Sequence, residues 1–117
     1  MFPEGAKEPY ERTRVIIQKL AGPLKETPYR VSITGHTSAT RTAPQPGNGP
    51  WNLSVDRANA VRRILEEEGL PTASIYEVAG KADTDPLFPE DPYIAANRRV
   101  TITLMHEAPP VPPDLQP

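Results

Sequence analysis

Residues 29–69 read YRVSITGHTSATRTAPQPGNGPWNLSVDRANAVRRILEEEG and combine the patterns of a strand, a long loop and a helix. The first six residues alternate between apolar and polar side chains, which predicts a half-buried strand that ends at Gly35. The loop that follows contains Pro44, Pro46 and Pro50. Because loops of this length without structure of their own are usually functional or disordered, we expect a site to lie beside this one.

The last part of the stretch predicts a helix. Ser54 is a suitable N-cap, and Asp56 complements the positive end of the helix dipole. Apolar residues then recur at helical spacing until Gly69, a residue type common just after a helix end. The predicted inward face consists of Ala58, Val61 and Leu65.

A helix is also predicted before this stretch. Apolar or small residues recur at steps of three and four, and Gly22-Pro23 should end or kink the helix. The predicted face consists of Tyr10, Thr13, Ile17, Leu20 and Leu24.

Two more strands are predicted after the stretch. SIYEVAG, residues 74–80, is a short strand candidate, and RVTITLM alternates so that Val100, Ile102 and Leu104 face inward. The same alternation, extended backward, points Arg98 toward the core side, where a cation needs a partner.

The order helix, strand, helix, strand, strand predicts an α/β (α+β) layer with a partly parallel sheet. We expect one domain over residues 1–106 and a proline-rich, disordered tail over residues 107–117. The loops after the first two strands then lie at strand C-terminal ends, where such sheets commonly bind ligands.

Composition argues against several classes of function. The 117 residues carry a net charge of −2, so the chain has no basic field for nucleic acid. No cysteine is present, which excludes disulfides and thiolate metal sites. No apolar run approaches the roughly 18 residues of a membrane span, so we expect any membrane anchor to lie outside this sequence.

Arg57 is the first candidate for a binding residue. If the helix begins at Ser54, a cation three residues later opposes the helix dipole. Its side chain leans toward the helix N-terminus, where free N–H groups also point. A carboxylate would satisfy both the guanidinium and these N–H groups. It belongs either to a ligand or to the chain itself, as a salt bridge to an internal Asp or Glu such as Asp83 or Asp85.

Catalytic and metal sites have less support. His36 with Ser38 as nucleophile lacks the G-x-S-x-G spacing of a hydrolase, and a structural hydrogen bond is the favoured role of His36. Asp83 and Asp85 match the first ligand positions of a calcium-binding loop, but the later positions of the sequence do not match that loop's pattern. We therefore predict no catalytic residue, no metal and no cofactor, and expect a solvated acidic loop.

Three further side chains have ordinary alternatives. Trp51 either stacks on a ligand or packs the loop down, and packing is favoured. Arg62 has the spacing of a helical ion pair with Glu66, although it also borders the expected site. For Arg99 solvent exposure is expected.

Four motifs occur in an order that resembles the OmpA-like peptidoglycan-binding domain. They are ITGHTS, WNLSVDRANAVRRIL, VAGKAD and NRRVTI. The resemblance covers residues 1 to about 105 and is strongest to the periplasmic domains of flagellar stator subunits of the MotB type. It implies a two-layer β-α-β-α-β-β sandwich with a mixed sheet and helices on one face, in which MFPEGA ends the first strand.

The resemblance implies a binding module without catalytic activity, which holds the diaminopimelate-containing stem peptide of peptidoglycan. Arg57 matches the arginine that binds the diaminopimelate carboxylate. The implied site consists of Thr37, Ser38, Leu53, Ser54, Arg57, Asn97 and Arg98, and His36, Trp51 and Arg62 are further candidates. The implied partners are peptidoglycan, a second copy of the chain and an ion-channel subunit of the MotA type, contacted through an N-terminal part absent here.

Two positions depart from the family pattern. Ser38 stands where the family has an aspartate for the ligand's ammonium group, and Pro50 replaces an asparagine. Loss of a charged hydrogen bond weakens binding by roughly tenfold or more. Three functions therefore stay open: a stator anchor in the periplasm, a non-flagellar wall tether, and a dimerisation or docking module that has lost its ligand.

Overall fold

The computed structural model contains two helices and three strands in the predicted order. It describes residues 1–3, 5–38, 49–85, 87–91 and 95–105. The elements are α1 (Glu11–Glu26), β1 (Arg30–Gly35), α2 (Pro50–Glu67), β2 (Ile75–Gly80) and β3 (Val100–Met105), with short 3-10 turns at Thr72–Ser74 and Ala95–Asn97. The predicted tail and most of the proline-rich loop lie outside the described residues.

The N-terminal residues differ from the family expectation. Residues 1–3 and 5–10 contain no strand, so five of the six implied elements are present in the described part of the chain. None of the helices described here combines the length and hydropathy needed to span a bilayer.

The three strands form one mixed sheet, as predicted, and their order in the sheet is β2-β1-β3. β1 runs parallel to β2 and antiparallel to β3. Gly35, at the end of β1, lies opposite Gly80 on one side and Val100 on the other. The C-terminal ends of β1 and β2 therefore meet at the same edge of the sheet.

α2 supplies the main packing surface. Its predicted inward residues Ala58, Val61 and Leu65 are all 0% exposed, and they lie in one apolar core with Val31 and Ile33 of β1. Burial of each large aliphatic side chain contributes about 1.5–3 kcal/mol. This face fixes where the rest of α2 sits against the strand ends.

The predicted face of α1 is partly wrong. Tyr10 and Leu20 are 40% and 41% exposed, while Ala21 is buried instead. The helix also continues through Gly22-Pro23 to Glu26, because Ala21 and Leu24 on either side of the proline are held in the core.

The predicted start of α2 is wrong, because the helix begins before Ser54. The helix begins at Pro50, with Gly49 as N-cap, because proline at the first helical position has a suitable φ and needs no N–H partner. Ser54 is therefore inside the helix, and Asp56 is not in its first turn. Arg57 lies about two turns from the helix start, so its position no longer opposes the helix dipole at close range.

The predicted end of α2 is confirmed. Gly69 has φ +99°, and its N–H donates to Glu66 O at 3.0 Å. Leu70 N donates to Leu65 O at 3.0 Å, which completes a Schellman motif.

β3 follows the predicted alternation only at its first residues. Val100 is 7% exposed, but Leu104 is 50% exposed. β3 is a terminal strand of the described sheet, so its far end lacks a neighbour that would cover Leu104.

Gly80→Ala should destabilise the fold by about 1–3 kcal/mol, because its new methyl group would overlap α2. An added Cβ would meet Ser54 Oγ and lie 2.7 Å from the backbone N of Val55. Gly22→Ala is the control, since a Cβ there meets nothing within 4 Å. Urea unfolding of both variants checks this; equal midpoints would contradict the close approach.

Candidate functional site

Backbone hydrogen bonds gather three segments at the shared edge of β1 and β2. Thr37 N donates to Ala82 O at 2.8 Å, Lys81 N donates to Gly35 O at 3.0 Å, and His36 N donates to Arg99 O at 2.8 Å. The predicted motifs GHTS, GKAD and NRR are therefore brought together, as the parallel strand order requires.

Ser54 links α2 to this edge. Its side chain is 0% exposed; Oγ donates to Trp51 O at 2.9 Å and accepts from Ala82 N at 3.0 Å. Ala82 is buried at φ +51°, a left-handed conformation uncommon for a residue other than glycine. The only hydroxyl proton of Ser54 is thus used inside the protein, and its predicted role as N-cap is wrong.

Arg57 is the largest fully buried side chain among the described residues. Its guanidinium donates three hydrogen bonds, all to backbone carbonyls. Nε donates to Ala6 O at 2.8 Å, Nη1 to His36 O at 3.1 Å and Nη2 to Pro3 O at 3.0 Å. Its carbon Cζ lies 5.1 Å from the centre of the Phe2 ring. Arg57 therefore ties α2 to the end of β1 and to the N-terminal residues.

The charge of Arg57 is not balanced by an acid in the described part of the chain. No ion pair there includes Arg57, and the alternative of a salt bridge to Asp83 or Asp85 is wrong. Asp83 is exposed, and the carboxylate of Asp85 lies 3.8 Å from Lys81 Nζ. Burial, and then the charge of Arg98, lower the pKa of Arg57 to about 10, so it stays cationic at neutral pH.

Arg98 is the second cation of this cluster. It is half-buried, and its Nε donates to Phe2 O at 2.9 Å, which confirms the predicted partly buried role. Its positive charge lowers the pKa of Arg57, as expected for two neighbouring cations. The edge of the sheet therefore holds two neighbouring guanidiniums whose described partners are neutral carbonyls.

Thr37 and Ser38 are buried beside this pair, at 3% and 4% exposure. Thr37 Oγ1 has no hydrogen-bond partner within the part of the chain that the structure describes. A buried hydroxyl left unpaired costs about 1–3 kcal/mol, so Thr37 is the group here that a ligand would satisfy most directly.

His36 has the structural role that the sequence favoured. It is 3% exposed, and Nε2 lies 3.2 Å from Thr101 Oγ1, while Nδ1 has no partner among the described residues. Among the described residues, no hydrogen bond joins His36 to Ser38, and the one side-chain partner given for the His36 ring is Thr101.

Asn97 organises the loop that follows β2. It is 0% exposed; Oδ1 accepts from Phe88 N at 3.1 Å and Nδ2 donates to Asp91 O at 3.1 Å. Arg99 is also half-buried, with Nη2 donating to Asp85 O at 3.1 Å, so its predicted solvent exposure is wrong.

Three other predicted site residues are not drawn into the cluster. Trp51 is 58% exposed, so the predicted packing role is wrong, while Leu53 is half-buried. Arg62 Nη1 lies 3.0 Å from Glu66 Oε2, which confirms the ordinary helical ion pair. Within the described residues no group of three or more histidine or acidic side chains has the geometry to hold a metal ion.

The N-terminal contribution to this site was missed. Phe2 is 0% exposed, and Phe2, Pro3 and Ala6 supply carbonyls to the two arginines. MFPEGA has no helical or strand period, and only its single aromatic residue indicated burial.

Stability should decrease with acid because of His36. Burial, and then Arg99 and Lys81, lower its pKa against the opposite effect of Asp85. The unfolded chain then binds more protons below about pH 6.5, so the free energy of unfolding falls from there until the folded pKa is passed. Urea unfolding between about pH 5 and pH 7.5 measures this. His36→Gln should reduce the dependence of the free energy of unfolding on pH. If that dependence is unchanged, groups other than His36 cause it.

Comparisons with known proteins show the family of this chain. The model of the OmpA family matches residues 1–99. Motility protein B of Escherichia coli K12 is 35% identical over 108 residues, which are 92% of this chain and 35% of that protein. A putative flagellar export/assembly protein, LafU of Escherichia coli O44:H18, is 34% identical over 105 residues, 90% of this chain and 34% of that protein. The chain thus spans about a third of the length of these relatives.

Solved structures share the fold. The C-terminal domain of Helicobacter pylori MotB superposes with a TM-score of 0.78 at 18% identity, covering 92% of this chain and 84% of that chain. The cell wall anchor of the T6SS from Pseudomonas aeruginosa gives 0.71 at 26% identity, with coverage of 92% and 76%. From the family match over most of its length and from the shared fold, the chain belongs to the OmpA family.

Proposed function

We propose that this domain binds a carboxylate of the peptidoglycan stem peptide, that of diaminopimelate, and so anchors a flagellar stator unit to the cell wall. The observation that carries the proposal is the pair of guanidiniums at the strand ends. Arg57 is fully buried without an acidic partner in the described chain, and Arg98 is close enough to lower its pKa.

A carboxylate is the ligand chemistry that this pair favours. An anion beside two cations removes their mutual repulsion, and a charge-assisted hydrogen bond is about twice as strong as a neutral one. The interaction takes place in a buried environment, where salt screens it less than at the surface.

Neighbouring groups complete the proposed site. Thr37 Oγ1 is buried without a described partner and is proposed to bond the ligand, while Ser38 lies next to it in the position of the family's carboxylate. Ser54 bonds α2 to the residues after β2, and Asn97 holds the adjacent loop. Leu53, the residue before Ser54, is proposed to contact the ligand. Binding requires no covalent step, so we propose no catalysis.

The comparisons support the biological setting. Relatives of this chain include a motility protein, and structures of the same fold include a cell wall anchor and a MotB periplasmic domain. We extend to this chain a periplasmic location within an inner-membrane protein, a homodimer and a partner subunit of the MotA type.

A docking module with weakened wall binding is the second candidate. Ser38 offers a hydroxyl without charge, and every nitrogen of Arg57 already donates to the protein itself. Both observations reduce the interaction available to a ligand in this conformation.

Thr37→Val should weaken binding to purified sacculi by about two- to tenfold, because one hydrogen bond to the ligand is lost. The variant keeps the shape of the side chain and removes an unpaired buried hydroxyl, so its thermal stability should be equal or higher. Thr103→Val, on the exposed part of β3, is the matched control. Co-sedimentation gives the apparent Kd; equal values for both variants would exclude Thr37 from the site, and no pelleting of the wild type would reject wall binding.

Ser38→Asp should strengthen binding by roughly tenfold, because a carboxylate would pair with the ligand's ammonium group. Ser38→Asn has similar size without the charge and should stay near the wild-type value. Sacculus pelleting of both variants at low and high salt separates the effect of the charge from the effect of side-chain size. If aspartate and asparagine act alike, the missing charge is not what limits binding.

A further inference from the structure

Asp83 lies in the turn that follows β2, beside the proposed site. We propose that its carboxylate binds the ammonium group that diaminopimelate carries next to the carboxylate held at the strand ends. This inference rests on the proposed function and adds to it the residue that recognises the second charge of the ligand.

The proposed ligand brings both charges to the site together. The free carboxylate and the ammonium group of diaminopimelate are bonded to the same carbon atom, so a site that takes one must accommodate the other. Arg57 and Arg98 supply only positive charge, and Thr37 supplies an uncharged hydroxyl. Because an ammonium removed from water without an anionic partner is costly, the site needs a carboxylate from a neighbouring segment.

The turn holds Asp83 one residue from the buried part of the site. It is closed by Thr84 N, which donates to Lys81 O at 3.1 Å. Ala82, the residue before Asp83, is 1% exposed, and its O accepts from Thr37 N at 2.8 Å. Asp83 is therefore held near the threonine whose hydroxyl has no partner within the described chain.

Ala82 is also fixed to the helix. Its N–H donates to Ser54 Oγ at 3.0 Å, and its φ of +51° bends the main chain immediately before Asp83. Hydrogen bonds to β1 and α2 thus hold this backbone from two sides. A carboxylate on a backbone that is already ordered binds with a smaller loss of conformational entropy.

The charge of Asp83 is not used by the protein. Among the described residues no ion pair includes Asp83, and its side chain is exposed. Two other nearby acids are less suited. The carboxylate of Asp85 lies 3.8 Å from Lys81 Nζ, and Asp56 is exposed on α2 while the next residue, Arg57, lies on the buried face.

Asp83→Asn should weaken binding of a soluble muramyl tripeptide that contains diaminopimelate by about three- to tenfold, because a charge-assisted hydrogen bond becomes a neutral one. Asp85→Asn removes the same charge from the same loop and is the matched control, which should keep the wild-type Kd. Isothermal titration calorimetry measures both values. Melting temperatures show that the compared proteins are folded.

Acetylation of the free amino group of the ligand tests the same contact from the other side. The acetylated tripeptide should bind the wild type and Asp85→Asn more weakly by about three- to tenfold, but acetylation should change little for Asp83→Asn, whose carboxylate is already absent. Adding Ser38→Asp to Asp83→Asn should restore the affinity for the unmodified tripeptide, because a carboxylate is again available to the ammonium group.

The outcomes separate this inference from the proposed function. If Asp83→Asn and Asp85→Asn bind alike, or if acetylation weakens Asp83→Asn as much as the wild type, Asp83 is not the ammonium contact. Wall binding then still stands wherever Thr37→Val weakens it. If the wild type binds neither the tripeptide nor sacculi, both proposals fail.

Discussion

The buried guanidinium of Arg57 is the interaction on which the rest of this structure depends. Arg57 lies in the middle of α2, and its guanidinium donates hydrogen bonds to His36 O after β1 and to Pro3 O and Ala6 O near the N-terminus. One side chain therefore joins three segments that are distant in sequence. Buried cations are normally paired with acids. Here carbonyl dipoles and the Phe2 ring take that place, so no acid of the described chain neutralises the charge.

This arrangement makes Arg57 important for the fold itself as well as for the proposed site. Removal of Arg57 would leave the carbonyls of His36 and Ala6 without a described donor, while Pro3 O would keep only the N–H of Ala6. Unpaired buried acceptors cost stability independently of any ligand. Loss of wall binding in an Arg57 variant would therefore not identify Arg57 as a ligand contact. Thr37 and Ser38 separate the two effects, because neither holds two segments together through a described side-chain bond.

Much of the fold was readable from the sequence because local periodicity and burial coincide in β1 and α2. Val31, Ile33, Ala58 and Val61 are buried as the patterns predicted. The start of α2 was not predicted correctly. Serine is a residue type that is common at N-caps, but the φ angle of Pro50 suits the first helical position, and the helix begins there. The carbonyl partners of Arg57 were beyond sequence reasoning, since backbone acceptors carry no residue signature and MFPEGA has no period.

The close approach of α2 to the strand ends explains why this cluster sits where it does. Gly35 and Gly80 face each other across β1 and β2, and side chains there would overlap Ser54. Only glycine lets α2 descend far enough for Ser54 to bond Ala82 and for Arg57 to reach His36 O. A wider gap would admit water around the guanidinium, and the carboxylate binding that we propose there would weaken with the higher local dielectric. The glycine pair therefore sets the electrostatic strength of the site without contributing a polar atom to it.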